Sequence, residues 1–209
     1  NVISVYAGDA KHQVEPVPQV VNRANQAVQT LERYKVRLDE VSMALSTLEI
    51  EDLVTLRDVV SVLQRTEMVA RIADEIEGYI IELGDDGRLV RLQLEELMAG
   101  ALDERRLVVR DYFHEEAKWH LEEALDALAS LSNDDLLELR KVAATLHLAT
   151  GVSDLDVSLS PKGYRLLSRI PRLPETVVDA IVDRFGNLQK ILRASTDELD
   201  DVGGVGSTR

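Results

Sequence analysis

Gly204, Val205 and Gly206 form the stretch whose residue types most directly suggest a binding chemistry. Two glycines around one aliphatic residue allow a tight backbone turn, and the valine can fill the space between flanking helices. The backbone amides at the start of a following helix would then point outward, where the helix dipole helps them bind a phosphate. Ser207, Thr208 and Arg209 could add a hydroxyl donor or a positive charge. Such contacts hold a nucleic-acid backbone without reading its sequence.

The alternative for this triplet is an ordinary turn between two helices, but an internal repeat favours the binding interpretation. The segment at 170–174 (IPRLP) is repeated in type at 202–206 (VGGVG), and a short helical run precedes each copy. The repeated unit is helix, tight apolar hairpin, helix, and its second copy stops at Arg209. In the first copy Pro174 has no amide to donate, so we interpret that copy as structural.

Charge is distributed unevenly along the chain. The net charge is −14, yet residues 160–209 hold eight basic and seven acidic residues, a net of +1. Residues 1–159 therefore carry −15. An acidic body argues against nucleic acid as its partner, so the tail is the segment that could bind a polyanion.

The remaining candidates for chemistry are weak. His114 and His120 are six residues apart, not the three or four that place two ligands on one helical face, so we predict no metal site. Trp119 is interpreted as a packing residue. The sequence contains no cysteine, phosphate loop, nucleophile elbow or dinucleotide fingerprint. From its own residues, the chain is not expected to be an enzyme or to hold a cofactor.

The elements that must position the tail are mostly helical. Residues 22–48 carry a heptad stripe, with apolar side chains at alternating steps of three and four, which predicts a helix of roughly 40 Å. A second helix is predicted to begin near Leu53 and to end at Gly78. Residues 79–83 and 88–92 are predicted to form a β-hairpin around Asp86 and Gly87, and residues 2–6 and 12–14 another.

Further amphipathic helices are predicted at residues 119–131, 134–148 and 176–185, and a linker at 151–160. The expected fold class is mainly α: a helical linker bundle with a long N-terminal helix and a small β-hairpin, followed by a truncated helix-hairpin-helix domain. No apolar run approaches the 18 or so residues of a membrane span. The missing cysteines suit a reducing cytoplasm, and the predicted location is cytoplasmic.

Seven segments carry a resemblance to a known family. They are residues 22–27 (NRANQA), 31–35 (LERYK), 37–40 (RLDE), 51–58 (EDLVTLRD), 68–76 (MVARIADEI), 82–88 (ELGDDGR) and 91–97 (RLQLEEL). The sequence resembles the DisA family, the DNA-integrity scanning diadenylate cyclases. The likeness is close from residue 1 to about 113, looser to about 150, and returns in the tail.

The resemblance implies three domains in a longer protein. In the family, an N-terminal cyclase domain joins two ATP molecules into cyclic di-AMP with a divalent metal, Mg or Mn. A helical linker follows, and then a helix-hairpin-helix domain that binds branched DNA. Members assemble as octamers through the cyclase domain. For this chain the resemblance implies a cyclase remnant at 1–40, the linker at 41–155 and a truncated helix-hairpin-helix domain at 156–209.

The catalytic motifs of the family, Asp-Gly-Ala and Arg-His-Arg, do not occur in this sequence. Asp86-Gly87 is followed by Arg88, and Arg105-Arg106 lacks the central histidine. No catalytic residue is therefore assigned, and the chain is predicted to be inactive alone. Since Asn1 is not a methionine, a piece of a longer protein is expected. The expected function is the linker and DNA-sensing part of the cyclase; the alternative is a helical scaffold or oligomerisation module without DNA binding.

Overall fold

The computed structural model describes residues 3–7, 10–14, 16–112, 121–146 and 155–203, with backbone alone for the first two segments. The chain packs as two compact units. The first unit comprises residues 1–37 and 68–101, and the second comprises residues 38–67 and 102–209. Two long helices, α1 (Val17–Glu51) and α2 (Leu56–Leu83), each contribute one part to both units.

The first unit contains two short strands and three helical segments. Strands β1 (Ile3–Ala7) and β2 (Ala10–Val14) pair antiparallel. The first half of α1 and the second half of α2 accompany a 3-10 turn (Gly84–Gly87) and α3 (Arg88–Met98). The buried apolar residues in the described part of this unit are Val20, Ala24, Val28, Leu31, Val69, Ala73, Ile76, Ile80, Leu83, Val90, Leu94 and Ala101.

The heptad helix is confirmed, and it extends beyond its predicted ends. The stripe divides into two rows, each with a seven-residue repeat. One row is buried and consists of Ala24, Leu31, Leu38 and Leu45, whereas the other row, Ala27, Tyr34, Val41 and Leu48, is half-buried. The charged residues between them are mostly exposed, as expected of a helix that packs on one face only.

The β-hairpin predicted at residues 79–92 is wrong. Helix α2 continues through Gly78 to Leu83, and α3 begins at Arg88. Ile76, Ile80 and Leu83 are buried at steps of four and three, so the helical period outweighs the local β-propensity. Gly87 belongs to the 3-10 turn, where a Cβ would lie 3.1 Å from the carbonyl oxygen of Ile80. The glycine therefore permits a close helix contact and not a hairpin turn.

The described residues of the second unit contain the rest of α1 and α2 together with eight further helices. These are α4 (Ala101–Tyr112), α5 (Leu121–Ala129), α6 (Asn133–Leu137), α7 (Leu139–Thr145), α8 (Tyr164–Ser168), α9 (Glu175–Phe185), α10 (Leu188–Arg193) and α11 (Thr196–Asp200). Before α8, the chain runs beside the start of α2, where the amides of Leu56 and Arg57 donate to the carbonyls of Val157 and Leu155 at 2.8 Å each.

The mainly α fold class is confirmed, with differences in detail. The helix predicted at 134–148 divides into α6 and α7, because Glu138 adopts an extended conformation with φ −96° and ψ 102°. Helix α10 was not predicted. It follows Gly186, whose φ is 77°, and begins after Asn187, whose side chain accepts a hydrogen bond from the Lys190 amide at 3.0 Å. Asparagine at that position is a frequent helix start.

Candidate functional site

The six residues predicted to bind DNA, 204–209, lie outside the described residues, as do His114, Trp119 and His120. The structure describes the tail as far as Gly203. Val202, immediately before the predicted turn, is buried in an apolar core formed by the tail's own residues. The last described residues of the tail are thus attached to that core.

The two short helices that precede the predicted hairpins are present in the structure. Helix α8 (164–168) precedes the hairpin that begins at residue 170, and α11 (196–200) precedes the one predicted to begin at residue 202. The two helices are the same distance apart along the chain as these two residues. Leu167 in the first copy and Val202 in the second are buried in the same core, which α9 and α10 complete. The second predicted hairpin itself, from residue 204 onward, lies outside the described residues.

The first hairpin presents an exposed tip. Ile170, Pro171, Arg172 and Pro174 are exposed, while Leu173 packs against the tail's core. The turn is closed by a hydrogen bond of 3.2 Å from the Leu173 amide to the Ile170 carbonyl. Arg172 has φ 66°, a left-handed conformation that is uncommon for a residue with a side chain. Leu173 anchors the loop, and the arginine lies at the tip.

The most unusual group in the second unit is the fully buried side chain of Arg165 on α8. Its guanidinium contacts Glu104 of α4 at 2.6 Å and Glu49 of α1 at 2.5 Å. It also donates to the carbonyl oxygen and the hydroxyl of Ser42, each at 3.1 Å. A buried cation is stable only when carboxylates and hydrogen-bond acceptors surround it. These contacts join the tail to α1 and α4.

Asp111 of α4 holds the backbone of α8 at the same place. Its carboxylate oxygens accept hydrogen bonds from the amides of Gly163 at 2.7 Å, Tyr164 at 2.6 Å and Arg165 at 2.9 Å. The side chain is buried, and burial raises the pKa of Asp111 to about 6; the nearby charge of Glu49 also raises it, while the three amides oppose the rise. Asp111 therefore fixes the beginning of α8.

Glu49 and Glu104 are held in place by further partners. The hydroxyl of Tyr112 donates to Glu49 at 2.8 Å, and the hydroxyl of Ser42 donates to Glu104. Burial alone would raise the pKa of Glu104, but the charge of Arg165 and the Ser42 hydrogen bond outweigh it and lower the pKa. Both carboxylates are consequently arranged for the charged form of Arg165.

Contacts at the edges extend this attachment to the other tail helices. The Arg169 guanidinium donates to the Ser46 hydroxyl at 2.8 Å. The side-chain amide of Gln189 donates to the backbone carbonyl of Glu49, near the end of α1, at 2.9 Å. Arg110 of α4 pairs with Asp179 of α9 at 2.6 Å and stacks on the Tyr164 ring at 4.1 Å. Helices α8, α9 and α10 are therefore all attached to α1 or α4.

The raised pKa of Asp111 predicts a measurable pH dependence. The folded protein takes up a proton on Asp111 near pH 6, but the unfolded chain does so only near 3.8, so this group stabilises the folded state increasingly as pH falls from 7 toward 4. Between pH 7.5 and pH 5, we expect wild-type protein to gain about 1 kcal/mol in unfolding free energy over Asp111→Asn. Urea denaturation of both proteins at the two pH values measures this difference.

The Asp111→Asn comparison cancels the titration of all other groups that the substitution does not disturb. The lowered pKa of Glu104 acts in the opposite direction, but only at pH values below its ordinary 4.5. An unchanged difference between the two proteins from pH 7.5 to pH 5 would contradict a raised pKa for Asp111.

Sequence analysis missed this cluster because each member looked like part of a solvated surface. Ser42, Ser46 and Glu49 are spaced four and three residues apart, which places them on one face of α1 beside the buried row. That spacing is the signal that could have revealed a polar contact surface. Arg165 lies far from these three residues along the chain, and nothing in the local pattern of α8 marks it as buried.

The described residues show neither a metal site nor a membrane span. Among them, no group of three or more histidine, aspartate or glutamate side chains is arranged to hold a metal ion. No helix in the described part of the chain combines the length and apolar character needed to cross a membrane.

Comparisons with known proteins all point to one family. The family model described as "DisA bacterial checkpoint controller linker region" matches residues 14–155. A relative from Kineococcus radiotolerans, called DNA integrity scanning protein DisA, is 54% identical over 210 residues. Relatives of the same name from Frankia alni and Streptomyces coelicolor are 53% and 52% identical. Each alignment covers 100% of this chain and 56–58% of the relative, so the chain spans little more than half of their length.

Proposed function

Because this chain belongs to the DisA family, we propose that it is the linker and DNA-sensing part of a DNA-integrity scanning diadenylate cyclase. The observation that carries the proposal is the tail repeat: α8 and α11 are spaced as the sequence repeat predicts, and Val202, which follows α11, is buried in the core that Leu167 of α8 also enters. A turn at residues 204–206, after α11, would suit contact with the phosphates of a nucleic-acid backbone.

The second hairpin is the proposed contact with DNA. Gly204, Val205 and Gly206 would form the turn, and the amides that follow, with Ser207, Thr208 and Arg209, would bind phosphate. The proposed ligand is branched DNA such as a four-way junction, as the resemblance to the DisA family implies. Leu173 of the first hairpin and Val202, which follows α11, contact the same core.

Catalysis is proposed for the parent protein and not for these residues. The parent would join two ATP molecules into cyclic di-AMP with Mg or Mn in a cyclase domain, and would assemble as an octamer through that domain. The described residues present no cluster suited to a metal ion, and the sequence contains neither Asp-Gly-Ala nor Arg-His-Arg. No catalytic step is therefore assigned to this chain, which is expected to make no cyclic di-AMP by itself.

The prediction for DNA binding is tested by fluorescence anisotropy with a labelled four-way junction and a matched duplex. We expect tighter binding to the junction, with log affinity falling against log salt by about 0.9 for each phosphate contacted. Replacing both Gly204 and Gly206 with leucine should abolish the preference, because side chains would block the turn. Lys141→Ala removes one positive charge from an exposed position on α7 and should leave binding unchanged. No junction binding at low salt would contradict the proposal.

An alternative function is that of a helical scaffold that joins copies of the chain without binding DNA. Val36, Met43 and Ile50 are exposed on α1 at intervals of seven residues, a spacing that lets helices pair. The stripe is narrow, and the main heptad row is already buried within the chain. Light scattering distinguishes the two functions: a dimer that separates on Met43→Glu would favour the scaffold, whereas a monomer would exclude pairing through this stripe.

A further inference from the structure

Helix α8 has two faces with different chemistry. Leu167 is buried in the tail's apolar core, and Tyr164 packs against it. Arg165, on another face, is buried against α1 and α4, and Arg169 lies one helical turn further on. A five-residue helix thus connects the tail's own core to the linker helices.

A buried polar cluster attaches α8 to the linker helices. It consists of Arg165 and the backbone amides of residues 163–165, which contact Ser42, Ser46 and Glu49 on α1 and Glu104 and Asp111 on α4. We call this set the Arg165 latch. Three of its members are carboxylates: Glu49 and Glu104 contact the guanidinium of Arg165, and Asp111 accepts hydrogen bonds from backbone amides.

The Arg165 latch determines where the tail lies on α1 and α4 more than how strongly the tail is attached. The cost of removing buried charges from water largely offsets their attraction, so a buried ion pair contributes little net stability. One contact of the latch is also incomplete, because Arg165 Nη1 and Glu49 Oε2 lie 2.5 Å apart but are not aligned as a hydrogen bond. When the surfaces separate, water can solvate both of them, which it could not do for an apolar interface.

The tail possesses what it needs to remain folded after separation. Its core contains Leu167, Val177, Val178, Ile181, Val182, Ile191 and Val202, all from the tail itself. None of these residues belongs to α1 or α4. Capping contacts within the tail, such as the capping box of Ser195 and Glu198 on α11, are also independent of the linker helices.

We propose that the Arg165 latch is a conformational device: it holds the tail in one position on α1 and α4, and when it opens, the tail separates as a folded body. This inference goes beyond the proposed function, because it concerns how the tail is attached to the linker helices. It does not depend on whether the tail binds DNA. An opening latch supplies the two discrete states that transmission between distant sites requires.

Hydrogen exchange of the wild-type chain in low concentrations of urea tests the latch without any substitution. The amides of Gly163, Tyr164 and Arg165 donate to Asp111, whereas the amide of Gly186 donates to Val182 at the end of α9. We expect the first group to open at least about tenfold more often than the amides of α9, because the latch opens before the tail unfolds. Equal opening of both groups would overturn the proposal.

The Arg165→Met variant tests the role of the arginine directly. Exchange of the last turns of α1 (residues 42–51) and of residues 161–165 should accelerate at least about tenfold more than exchange of the central amides of α9. Arg184→Met is the matched control, since Arg184 on α9 is partly exposed and its nearest carboxylate, on Asp201, is 3.7 Å away. Equal acceleration throughout α9, or none at residues 42–51, would show that no separable latch exists.

Discussion

Replacing Arg165 with alanine is expected to lower the free energy of unfolding of the second unit by about 3–5 kcal/mol. The substitution leaves Glu49 and Glu104 without their cation, and the Glu49 side chain is only 1% exposed. An uncompensated buried carboxylate costs far more than the pair itself contributes when it is intact. Urea denaturation followed by circular dichroism measures the loss.

Arg169→Ala is the matched control for Arg165→Ala. Arg169 lies one turn further along the chain and contacts two of the same serines, but its side chain is 46% exposed. Water replaces its contacts, so a loss below about 1 kcal/mol is expected. Similar losses for the two variants would show that burial of Arg165 is not what makes it important.

Gly163→Ala is expected to lower the same free energy by about 2–3 kcal/mol. Gly163 precedes α8 with φ 120°, a conformation that side chains rarely adopt. A Cβ there would also lie 3.0 Å from the terminal methyl carbon of Ile191, which is buried in the tail's core. The backbone must shift, and the hydrogen bond from the Gly163 amide to Asp111 is weakened with it. Thermal and urea unfolding both report the loss.

Alanine substitutions at two other glycines are controls for Gly163→Ala, with smaller expected effects on stability. Gly186 also has a positive φ of 77°, but a Cβ would meet nothing within 4 Å, so alanine there should cost only about 1–2 kcal/mol. Gly78 lies within α2 in open space with an ordinary helical backbone, and alanine should stabilise the protein by about 0.5–1 kcal/mol. If Gly163→Ala costs no more than Gly186→Ala, the close approach to Ile191 is unimportant.

Periodicity revealed the parts of the fold that depend on local sequence. The apolar row of α1 repeats at seven-residue intervals, and the rows are buried or half-buried as the pattern predicts. The tail repeat was visible because Ile170 and Val202 begin equivalent hairpins in sequence. In both cases the signal is a regular spacing of residue types along the chain, so the sequence alone contains the necessary information.

Prediction failed where a local signal competed with tertiary contacts. Tyr79, Ile80 and Ile81 favour a strand by composition, yet burial of Ile80 and Leu83 against the rest of the first unit makes the segment helical. Asp86-Gly87 then resembled a hairpin turn although Gly87 packs closely on Ile80. The β-propensity of these residues therefore determines the local structure less than the helical spacing of apolar residues that continues from Ile76.

The Arg165 latch was inaccessible to sequence reasoning for a different reason. Its members come from three separate helices, and a serine or glutamate on an amphipathic helix is most often solvated. Only the folded chain brings Ser42 and Arg165 to 3.1 Å. By contrast, the predicted phosphate-binding residues depend on a local turn and stay a prediction.

The measurement that tests the central claim most directly is hydrogen exchange of the chain with and without a four-way DNA junction. We expect residues 202–209 to become protected on binding, and the exchange of residues 42–51 on α1 to change as well, because α8 joins the tail to that helix through Arg165. Protection confined to the tail would contradict communication with the linker helices. No change anywhere at saturating junction and low salt would contradict DNA sensing by this chain.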